Sequence, residues 1–493
     1  MKRGFIAAGS GWLSKALLVM AVVVGAILRF FRLGAHELSI DESLSWAESS
    51  GHNLKAVLRV QHQLDSGKFP IYELAQHGWM RIFGESEAAM RALPALIGSL
   101  SILLVYVLSV ELLMRLAGGK EFSAASKESA GYQENIRIAA ACCALLFAVG
   151  LPSVEIARQA RMYSMMEAWI LAQVIFLLRV RRLGGLANYA GLTFFSAIAV
   201  ATNFTAVLVI AAEGLWLIYL YAADRDAEVR TAPPWLIATA LIAAMVLLLP
   251  FFAGLRYGVE GVARGDYDWI KPPGRWEPIA TFESGLGSLP FPLFAVFAIV
   301  GGIRLWRSRR DEAVLLILWM VAPPIILFAG SYIVTPMLVT RYLISSFVPV
   351  FILTAIGIES IPSVQYRSIA LIAIVSLSIL RASSDFRPGD NRWRDACEIA
   401  LTNSCSRERV GASSEYYLVS YYMPAAQRRT VKIVRFPFDE AERKTPRVVI
   451  LSPTVPPEEA AEIRREYPVV VAKLKNITVV SRPERCPRKA PIS

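Results

Sequence analysis

The sequence predicts a polytopic α-helical membrane protein with about eleven transmembrane helices and a small C-terminal extracytoplasmic α/β domain. Of its 493 residues, 55% are hydrophobic and only 19% are charged, below the roughly 25% charged residues of soluble domains. The mean hydropathy is +0.46. The apolar residues form blocks such as Ala16–Ile27 and Trp235–Phe252, which approach the ~20 residues that cross a ~30 Å hydrocarbon core. Beyond about residue 382 the composition becomes polar and charged.

The basic residues that give the net charge of +12 lie mostly in short segments between the apolar blocks. Short cytoplasmic loops are enriched in Lys and Arg, so Lys2, Arg3 and Lys15 place the N-terminus in the cytoplasm. The first apolar block is interpreted as an uncleaved span, because its flank 29–32 has no small-residue cleavage site. We predict spans near residues 16–31, 91–113, 136–153, 163–179, 188–203, 204–221, 234–254, 289–305, 313–332, 342–361 and 367–381.

An odd number of spans places the C-terminus outside the cytoplasm. We therefore predict a transmembrane domain, 1–381, with extracytoplasmic loops 32–90 and 255–288, and an extracytoplasmic domain, 382–493. In the latter, β-branched runs at 448–451 and 469–471 flank the helix-like segment 457–467, which indicates strand, helix and strand. The expected location is the inner (plasma) membrane, with the active site and the C-terminal domain on the periplasmic side.

Several kinds of site are disfavoured by the motifs. The chain has no Walker or Rossmann glycine pattern, no CxxC or HExxH motif and only four histidines, so neither a nucleotide site nor a histidine-built metal site is predicted. A nucleic-acid binder would show a folded basic face with aromatics, and none is visible. Cys142 and Cys143 are expected to be small apolar residues of a span. Two of Cys397, Cys405 and Cys486 could pair in an oxidising compartment, and the pairing stays open.

Acidic residues gather just beyond the first span, where Asp41 and Glu42 are adjacent and Glu48 follows. One interpretation is that Ser39 or Asp41 caps an amphipathic helix over 42–50, with acids favoured by the helix dipole. The other is that a carboxylate at the membrane surface serves as general base for an acceptor hydroxyl. Asp41, Glu42 and Glu48 could also bind a divalent cation through oxygen atoms, so metal dependence stays open.

Two arginine groups lie in predicted outside segments, where the positive-inside rule disfavours them. Arg158 and Arg161 precede Tyr163, and on a helix they would share a face. Arg341 stands beside Tyr342 at the outside start of the tenth span. Guanidinium groups so placed could hold a phosphate through paired hydrogen bonds. The alternative is that these arginines merely snorkel to the interface.

A third group comprises Asp65, Lys68, Pro70 and Tyr72, directly before an expected interfacial helix. Lys68 could assist a phosphate site, or it could be a solvated or snorkelling lysine. His77 on the same helix is interpreted as a packed or interfacial residue rather than a ligand.

In this order the motifs resemble the protein O-mannosyltransferase-like and lipid A aminoarabinose-transferase-like membrane glycosyltransferases of the GT-C fold. The resemblance covers about residues 25–360. Where the family usually has His-Pro-Pro before the tyrosine, this chain has Lys68-Phe69-Pro70, so Lys68 would offer a fixed positive charge instead. The motifs that carry the resemblance are Arg29–Leu33, Asp41-Glu42, Asp65 to Tyr72, Phe83–Pro94, Ala160–Ser164 and Thr340–Leu343 before Pro349.

The resemblance implies an inverting transferase that moves a sugar from a polyprenyl phosphate to an extracytoplasmic hydroxyl of a glycolipid, lipid A, polysaccharide or protein. Asp41 would take the hydroxyl proton with Glu42 as its support, while Asp65 and Tyr72 would position donor or acceptor. The lipid tail would lie in a groove between spans, and the bilayer and the acceptor would be the other partners. The residues implied to bind the donor phosphate are Arg158, Arg161, Tyr163, Arg341, Tyr342 and Lys68.

A transporter or flippase of lipid-linked sugars is the main alternative, because it too needs basic residues near a lipid phosphate. A transporter favours ionisable residues buried at mid-membrane depth, where the sequence shows one clear acid, Glu213. A non-catalytic scaffold that presents the C-terminal domain is a further alternative. It would not need Asp41, Arg161 and Arg341 on one side of the membrane.

Overall fold

A computed structural model describes most of the chain as two compact units. The helical unit comprises residues 1–33, 61–79 and 91–386, and the mixed unit comprises 34–60, 80–90 and 387–493. The residues described are 11–65, 68–115, 127–223, 233–248, 270–387, 392–404, 409–413, 415–424, 431–435 and 446–483.

Helices dominate the described residues, because the apolar blocks satisfy their backbone hydrogen bonds within each segment and bury side chains against one another. The first eleven helices are α1 (Trp12–Phe30), α2 (Ile40–Ser49), α3 (Leu54–Leu64), α4 (Ile71–Phe83), α5 (Glu87–Arg115), α6 (Lys127–Val149), α7 (Leu151–Ala157), α8 (Tyr163–Leu183), α9 (Leu186–Thr202), α10 (Val207–Ala223) and α11 (Pro234–Leu248). The later ones are α12 (Glu277–Leu286), α13 (Phe291–Ser308), α14 (Arg310–Ile333), α15 (Phe347–Glu359), α16 (Val364–Ser383), α17 (Trp393–Asn403), α18 (Tyr416–Tyr422) and α19 (Pro457–Glu466).

The chain is a multi-pass helical membrane protein, as the sequence predicts. Within the described residues, seven helices are long and apolar enough to cross a membrane, and a bent pair formed by α6 and α7 raises the number to eight. Three shorter apolar helices, Leu186–Thr202, Trp235–Leu248 and Ile344–Glu359, lie where further spans are predicted. Much of the predicted loop 255–288, up to residue 269, lies outside the described residues.

Glycines permit two features of helix packing in the helical unit. The 57° bend between α6 and α7 falls at Gly150, where a Cβ atom would approach the Phe351 ring to 2.4 Å. Gly301 of α13 and Gly357 of α15 let these helices pack backbone to backbone, because a Cβ on Gly301 would come within 1.9 Å of the Leu353 carbonyl oxygen. Small residues at such contacts are typical of helices packed within membranes.

Within the described residues, the strands of the mixed unit are β1 (Arg409–Ala412), β2 (Lys432–Arg435), β3 (Val448–Leu451), β4 (Val469–Leu474) and β5 (Ile477–Ser481). They form one sheet in the order β2-β1-β3-β5-β4. The parallel neighbours are β1 with β2 and β1 with β3, whereas β5 runs antiparallel to β3 and β4. The predicted strand, helix and strand near the C-terminus are confirmed as β3, α19 and β4.

The cysteines that the structure describes are buried free thiols. Cys142 and Cys143 lie in α6, as expected of small apolar residues. Cys397 lies in α17, where its Sγ atom contacts the Val419 carbonyl oxygen at 3.7 Å. Burial raises the pKa of Cys397 to about 12, so this thiol stays protonated. Cys405 and Cys486 lie outside the described residues.

Candidate active site

The acidic helix α2 begins with a capping box in the mixed unit. The Ser39 Oγ atom accepts a hydrogen bond from the Glu42 N–H at 3.3 Å, and the Glu42 Oε2 atom accepts one from the Ser39 N–H at 2.9 Å. This pattern satisfies two of the backbone donors that a helix N-terminus leaves open. Of the two predicted caps, Ser39 is therefore the residue that caps α2. The Glu42 carboxylate stabilises the same helix start.

Asp41 lies beside this cap and does not form it. It occupies the second position of α2 and is half-buried. Since Ser39 caps the helix, capping does not explain the carboxylate at Asp41. Glu48 is buried about two helical turns further on, roughly 10 Å along the axis. Among the described residues, no group of three or more His, Cys, Asp or Glu side chains is placed to hold a metal ion.

In the helical unit, Lys68 forms ion pairs with two carboxylates. Its Nζ atom lies 3.2 Å from Asp65 Oδ2 and 2.9 Å from Glu73 Oε1. The side chains of Lys68 and Glu73 are buried, with exposed fractions of 8% and 1%. Gln61 stabilises the backbone at Lys68, because its Nε2 atom donates to the Lys68 carbonyl oxygen at 2.9 Å. The charge of Lys68 is thus shared between two acids beside the buried Tyr72.

Glu73 is a member of this group that the sequence did not reveal. It stands in the first turn of α4, where an acid is ordinarily explained by the helix dipole. No local pattern in the sequence links it to Lys68, five residues earlier. Only the folded chain shows that it pairs with Lys68.

Replacing Lys68 with methionine is expected to lower the free energy of unfolding by about 3–5 kcal/mol, because the buried Glu73 carboxylate would lose its ion-pair partner. The measurement is the unfolding midpoint of the purified protein in detergent. The double variant Lys68→Met with Glu73→Gln should recover most of the loss, since it removes the unpaired charge. A Lys68→Met protein as stable as the wild type would contradict the importance of this pair.

Arg158 closes the end of α1. Its Nη1 atom donates to the carbonyl oxygens of Leu28 at 2.9 Å and Phe31 at 2.8 Å, and its guanidinium carbon lies 4.8 Å from the centre of the Phe386 ring. The last carbonyl groups of a helix lack partners within the helix, and a cation there is favoured by the dipole. Arg158 therefore fixes the junction at which the chain leaves the first span.

The expectation that Arg158 and Arg161 share a helix face is wrong. Helix α7 ends at Ala157 with Arg158 as its C-cap, and a turn leads from there to α8. Arg161 lies in that turn, where its backbone N–H donates to the Gln159 carbonyl oxygen at 2.7 Å. Tyr163 follows as the buried first residue of α8. The relative position of the two arginines is therefore determined by the backbone of this turn.

Arg341 lies on a short 3-10 helix, Thr340–Tyr342, that precedes α15. Its side chain is half-buried, its Nε atom is buried, and its guanidinium carbon lies 5.7 Å from the centre of the Tyr342 ring. The helical unit thus contains all the predicted phosphate-binding residues, together with Asp65 and Tyr72. The acids Asp41, Glu42 and Glu48 belong to the mixed unit.

The interior of the helical unit holds more ionisable groups than Glu213 alone. Glu213 is fully buried and accepts a hydrogen bond from Gln173 Nε2 at 2.5 Å. Arg29 and Glu167 are buried as well. The Arg29 Nη1 atom donates to the Ala148 carbonyl oxygen at 2.8 Å, which joins α1 to the end of α6. The sequence drew attention to Arg29 only as part of a motif.

An apolar cavity of about 650 Å³ lies among α12, α13, α14 and α15. Its size falls within the range of small-molecule and lipid pockets in proteins. The resemblance predicts a groove between spans for a lipid tail, and this cavity has the required apolar lining. Six of the lining residues are Phe282, Leu286, Trp306, Arg307, Met320 and Leu353.

The chain has the fold of ArnT from Cupriavidus metallidurans, a lipid A aminoarabinose transferase. The apo structure of ArnT matches with a TM-score of 0.63 and 14% identity over 95% of this chain and 99% of ArnT. ArnT bound to undecaprenyl phosphate matches with a TM-score of 0.60 and 14% identity over 95% and 100% of the two chains. No family model and no curated protein matches the sequence. The GT-C type of fold predicted from the motifs is therefore confirmed.

Proposed function

We propose that the protein is an inverting glycosyltransferase that moves a sugar from a polyprenyl phosphate to the hydroxyl of an extracytoplasmic acceptor. The observation that carries this proposal is the match to ArnT over nearly the full length of both chains. One of the matched structures contains undecaprenyl phosphate, which is the group that remains when a sugar leaves such a donor. The ordered motifs of the sequence support the same reaction class.

In the proposed reaction the acceptor oxygen attacks the anomeric carbon from the side opposite the phosphate. A bond forms between this oxygen and the anomeric carbon while the bond from that carbon to the phosphate oxygen breaks, and the electron pair goes to the phosphate. Asp41 takes the proton of the acceptor hydroxyl. A single displacement of this kind inverts the anomeric configuration. Glu42 supports Asp41 by fixing the start of α2 through its hydrogen bond to Ser39.

The leaving phosphate gains negative charge in the transition state, so cations around it stabilise the transition state more than the ground state. We assign this task mainly to Arg161 and Arg341, with Tyr163 and Tyr342 beside them. Arg158 contributes by fixing the junction after α1, because its Nη1 atom already donates to main-chain carbonyl groups.

Lys68 belongs to the same proposed phosphate site. Its ion pairs with Asp65 and Glu73 hold the ammonium group in place and orient the two acids. Asp65 and the buried Tyr72 then serve to position donor or acceptor. The apolar cavity among α12 to α15 suits the prenyl chain of the donor, because its lining offers almost only hydrocarbon.

A transporter of lipid-linked sugars stays the second candidate, because Glu167 and Glu213 are buried inside the helical unit. A comparison of glycolipids by mass spectrometry between a deletion strain and its parent tests whether the protein takes part in sugar transfer. Loss of a transporter would change the same masses, so transfer by the purified protein separates the two candidates. A transferase predicts that one acceptor loses one sugar and that the polyprenyl-phosphate sugar accumulates. An unchanged set of glycoconjugate masses would contradict the transferase.

We also propose that the C-terminal domain lies outside the cytoplasm in the inner membrane, as the distribution of basic residues suggests. A reporter enzyme that is active only in the periplasm, fused after Ser493 of the full chain, should be active. The matched fusion with a reporter that is active only in the cytoplasm should be inactive. The reverse result would place the proposed active site on the wrong side.

A further inference from the structure

The segment before the acidic helix caps another helix of the mixed unit. The Glu37 carboxylate accepts hydrogen bonds from the backbone N–H groups of Trp393 at 2.9 Å and Arg394 at 3.2 Å. These are the first two residues of α17, where a carboxylate is favoured by the helix dipole. Burial raises the pKa of Glu37, while the two hydrogen bonds and the Arg394 charge act in the opposite direction.

The next residue, Leu38, is bound by a buried tyrosine. The Leu38 N–H donates to the Tyr422 hydroxyl at 2.7 Å, and that hydroxyl donates to Glu87 Oε1 at 3.2 Å. Leu38 is only 1% exposed and Tyr422 only 6%, so water does not replace this contact easily. Burial raises the pKa of Tyr422, which keeps the phenol protonated and able to donate.

A third contact holds the far side of the acidic helix. The rings of Trp46 and Tyr421 meet edge to face with their centres 5.4 Å apart. The Trp46 Nε1 atom donates to Glu85 Oε2 at 3.0 Å, and the Tyr421 hydroxyl donates to the Glu85 carbonyl oxygen at 2.7 Å. Glu85 thus accepts a hydrogen bond from each of the two aromatic side chains.

Asp41 stands between these contacts, three residues after Leu38 and five before Trp46. We propose that the C-terminal part of the mixed unit is a positioning element for Asp41, with Tyr422 as the positioning residue that fixes the entry to α2. This inference rests on the proposed function, since it assigns to Tyr422 an effect on the same reaction. General bases act only within narrow geometric limits, and a displacement of about 1 Å can lower a rate about 10²-fold.

Replacing Tyr422 with phenylalanine keeps the ring and removes the acceptor of the Leu38 N–H. We expect kcat for sugar transfer to fall about 10- to 100-fold, because Asp41 loses its fixed position. The KM for a polyprenyl-phosphate sugar should stay unchanged, because the proposed phosphate-binding residues belong to the helical unit. A folded Tyr422→Phe protein with the kcat of the wild type would overturn the inference.

Tyr467 provides the matched control. It is a fully buried tyrosine of the same unit, and its hydroxyl donates to the Pro446 carbonyl oxygen at 2.8 Å. Tyr467→Phe removes a comparable hydrogen bond whose acceptor, the Pro446 carbonyl oxygen, is not part of α2, so kcat should be unchanged. An equal fall of kcat in both variants would overturn the inference, because the effect would then come from the stability of the unit.

Hydrogen–deuterium exchange of the peptide 36–48 tests the anchoring without any reaction. We expect faster exchange in Tyr422→Phe and the rate of the wild type in Tyr467→Phe. Unchanged exchange in Tyr422→Phe would overturn this inference even if the wild-type protein transfers sugar. If the wild-type protein transfers no sugar, the proposed function fails, and the exchange rates alone then decide whether Tyr422 anchors α2.

Discussion

Replacing Asp41 with asparagine is expected to lower the rate of sugar transfer by about 10²–10⁴-fold, the usual contribution of a positioned general base. Asparagine keeps the shape of the side chain and cannot take the proton of the acceptor hydroxyl. The capping box leaves Ser39 as the cap of α2, so the protein should fold normally. The measurement is transfer by purified protein in lipid vesicles, together with its melting temperature.

Asp395 offers a control for the loss of charge. It lies in the first turn of α17 in the same unit, as Asp41 lies in the first turn of α2. Asp395→Asn removes the same helix-dipole stabilisation, worth about 0.3–1 kcal/mol, and should leave the transfer rate unchanged. Near-normal transfer by a well-folded Asp41→Asn protein would end the assignment of Asp41 as general base.

Replacing Arg341 with lysine is expected to lower the transfer rate about 10²-fold, although the positive charge remains. Lysine lacks the planar fork that binds two phosphate oxygens at once, and losing one stabilising donor commonly costs a factor of this size or more. The change should appear in both donor affinity and turnover, because the phosphate is present throughout the reaction. Steady-state kinetics at varied donor concentration measures both.

Arg275 is the matched control for Arg341. Its guanidinium carbon lies 5.5 Å from the centre of the neighbouring Trp276 ring, much as Arg341 lies 5.7 Å from Tyr342. Arg275 resembles Arg341 in its aromatic neighbour and has no role in the proposed site. Arg275→Lys should therefore leave the kinetics unchanged. Unchanged donor affinity and rate in Arg341→Ala would show that Arg341 only snorkels to the interface.

The helices could be predicted because each is encoded locally. Apolar blocks of sufficient length predict helices wherever the lipid offers no other hydrogen-bonding partner, and the strands at 448–451 and 469–474 follow from β-branched runs. The order of the sheet could not be predicted, since β5 (Ile477–Ser481) also pairs with β3, from which α19 and β4 separate it in the sequence.

For the candidate site, the sequence predicts the types of residue involved but not the contacts that hold them. Acids and arginines in unfavourable places drew attention to Asp41 and Arg341, whereas their neighbours depend on contacts between distant parts of the chain. The bond from Leu38 to Tyr422 spans 384 residues, and a buried tyrosine has no signal of its own in the sequence. The shared helix face expected for Arg158 and Arg161 was wrong, because a spacing of three residues does not show whether a segment is a helix or a turn.

The most direct test of the central claim is a reaction of the purified protein in vesicles with a polyprenyl-phosphate sugar and a glycolipid acceptor. The amounts of released polyprenyl phosphate and of glycosylated acceptor are measured together with the anomeric configuration of the product. The transferase proposal predicts equal amounts, an inverted configuration and loss of both products in Asp41→Asn. Movement of the intact donor across the bilayer, with no polyprenyl phosphate released, would contradict it.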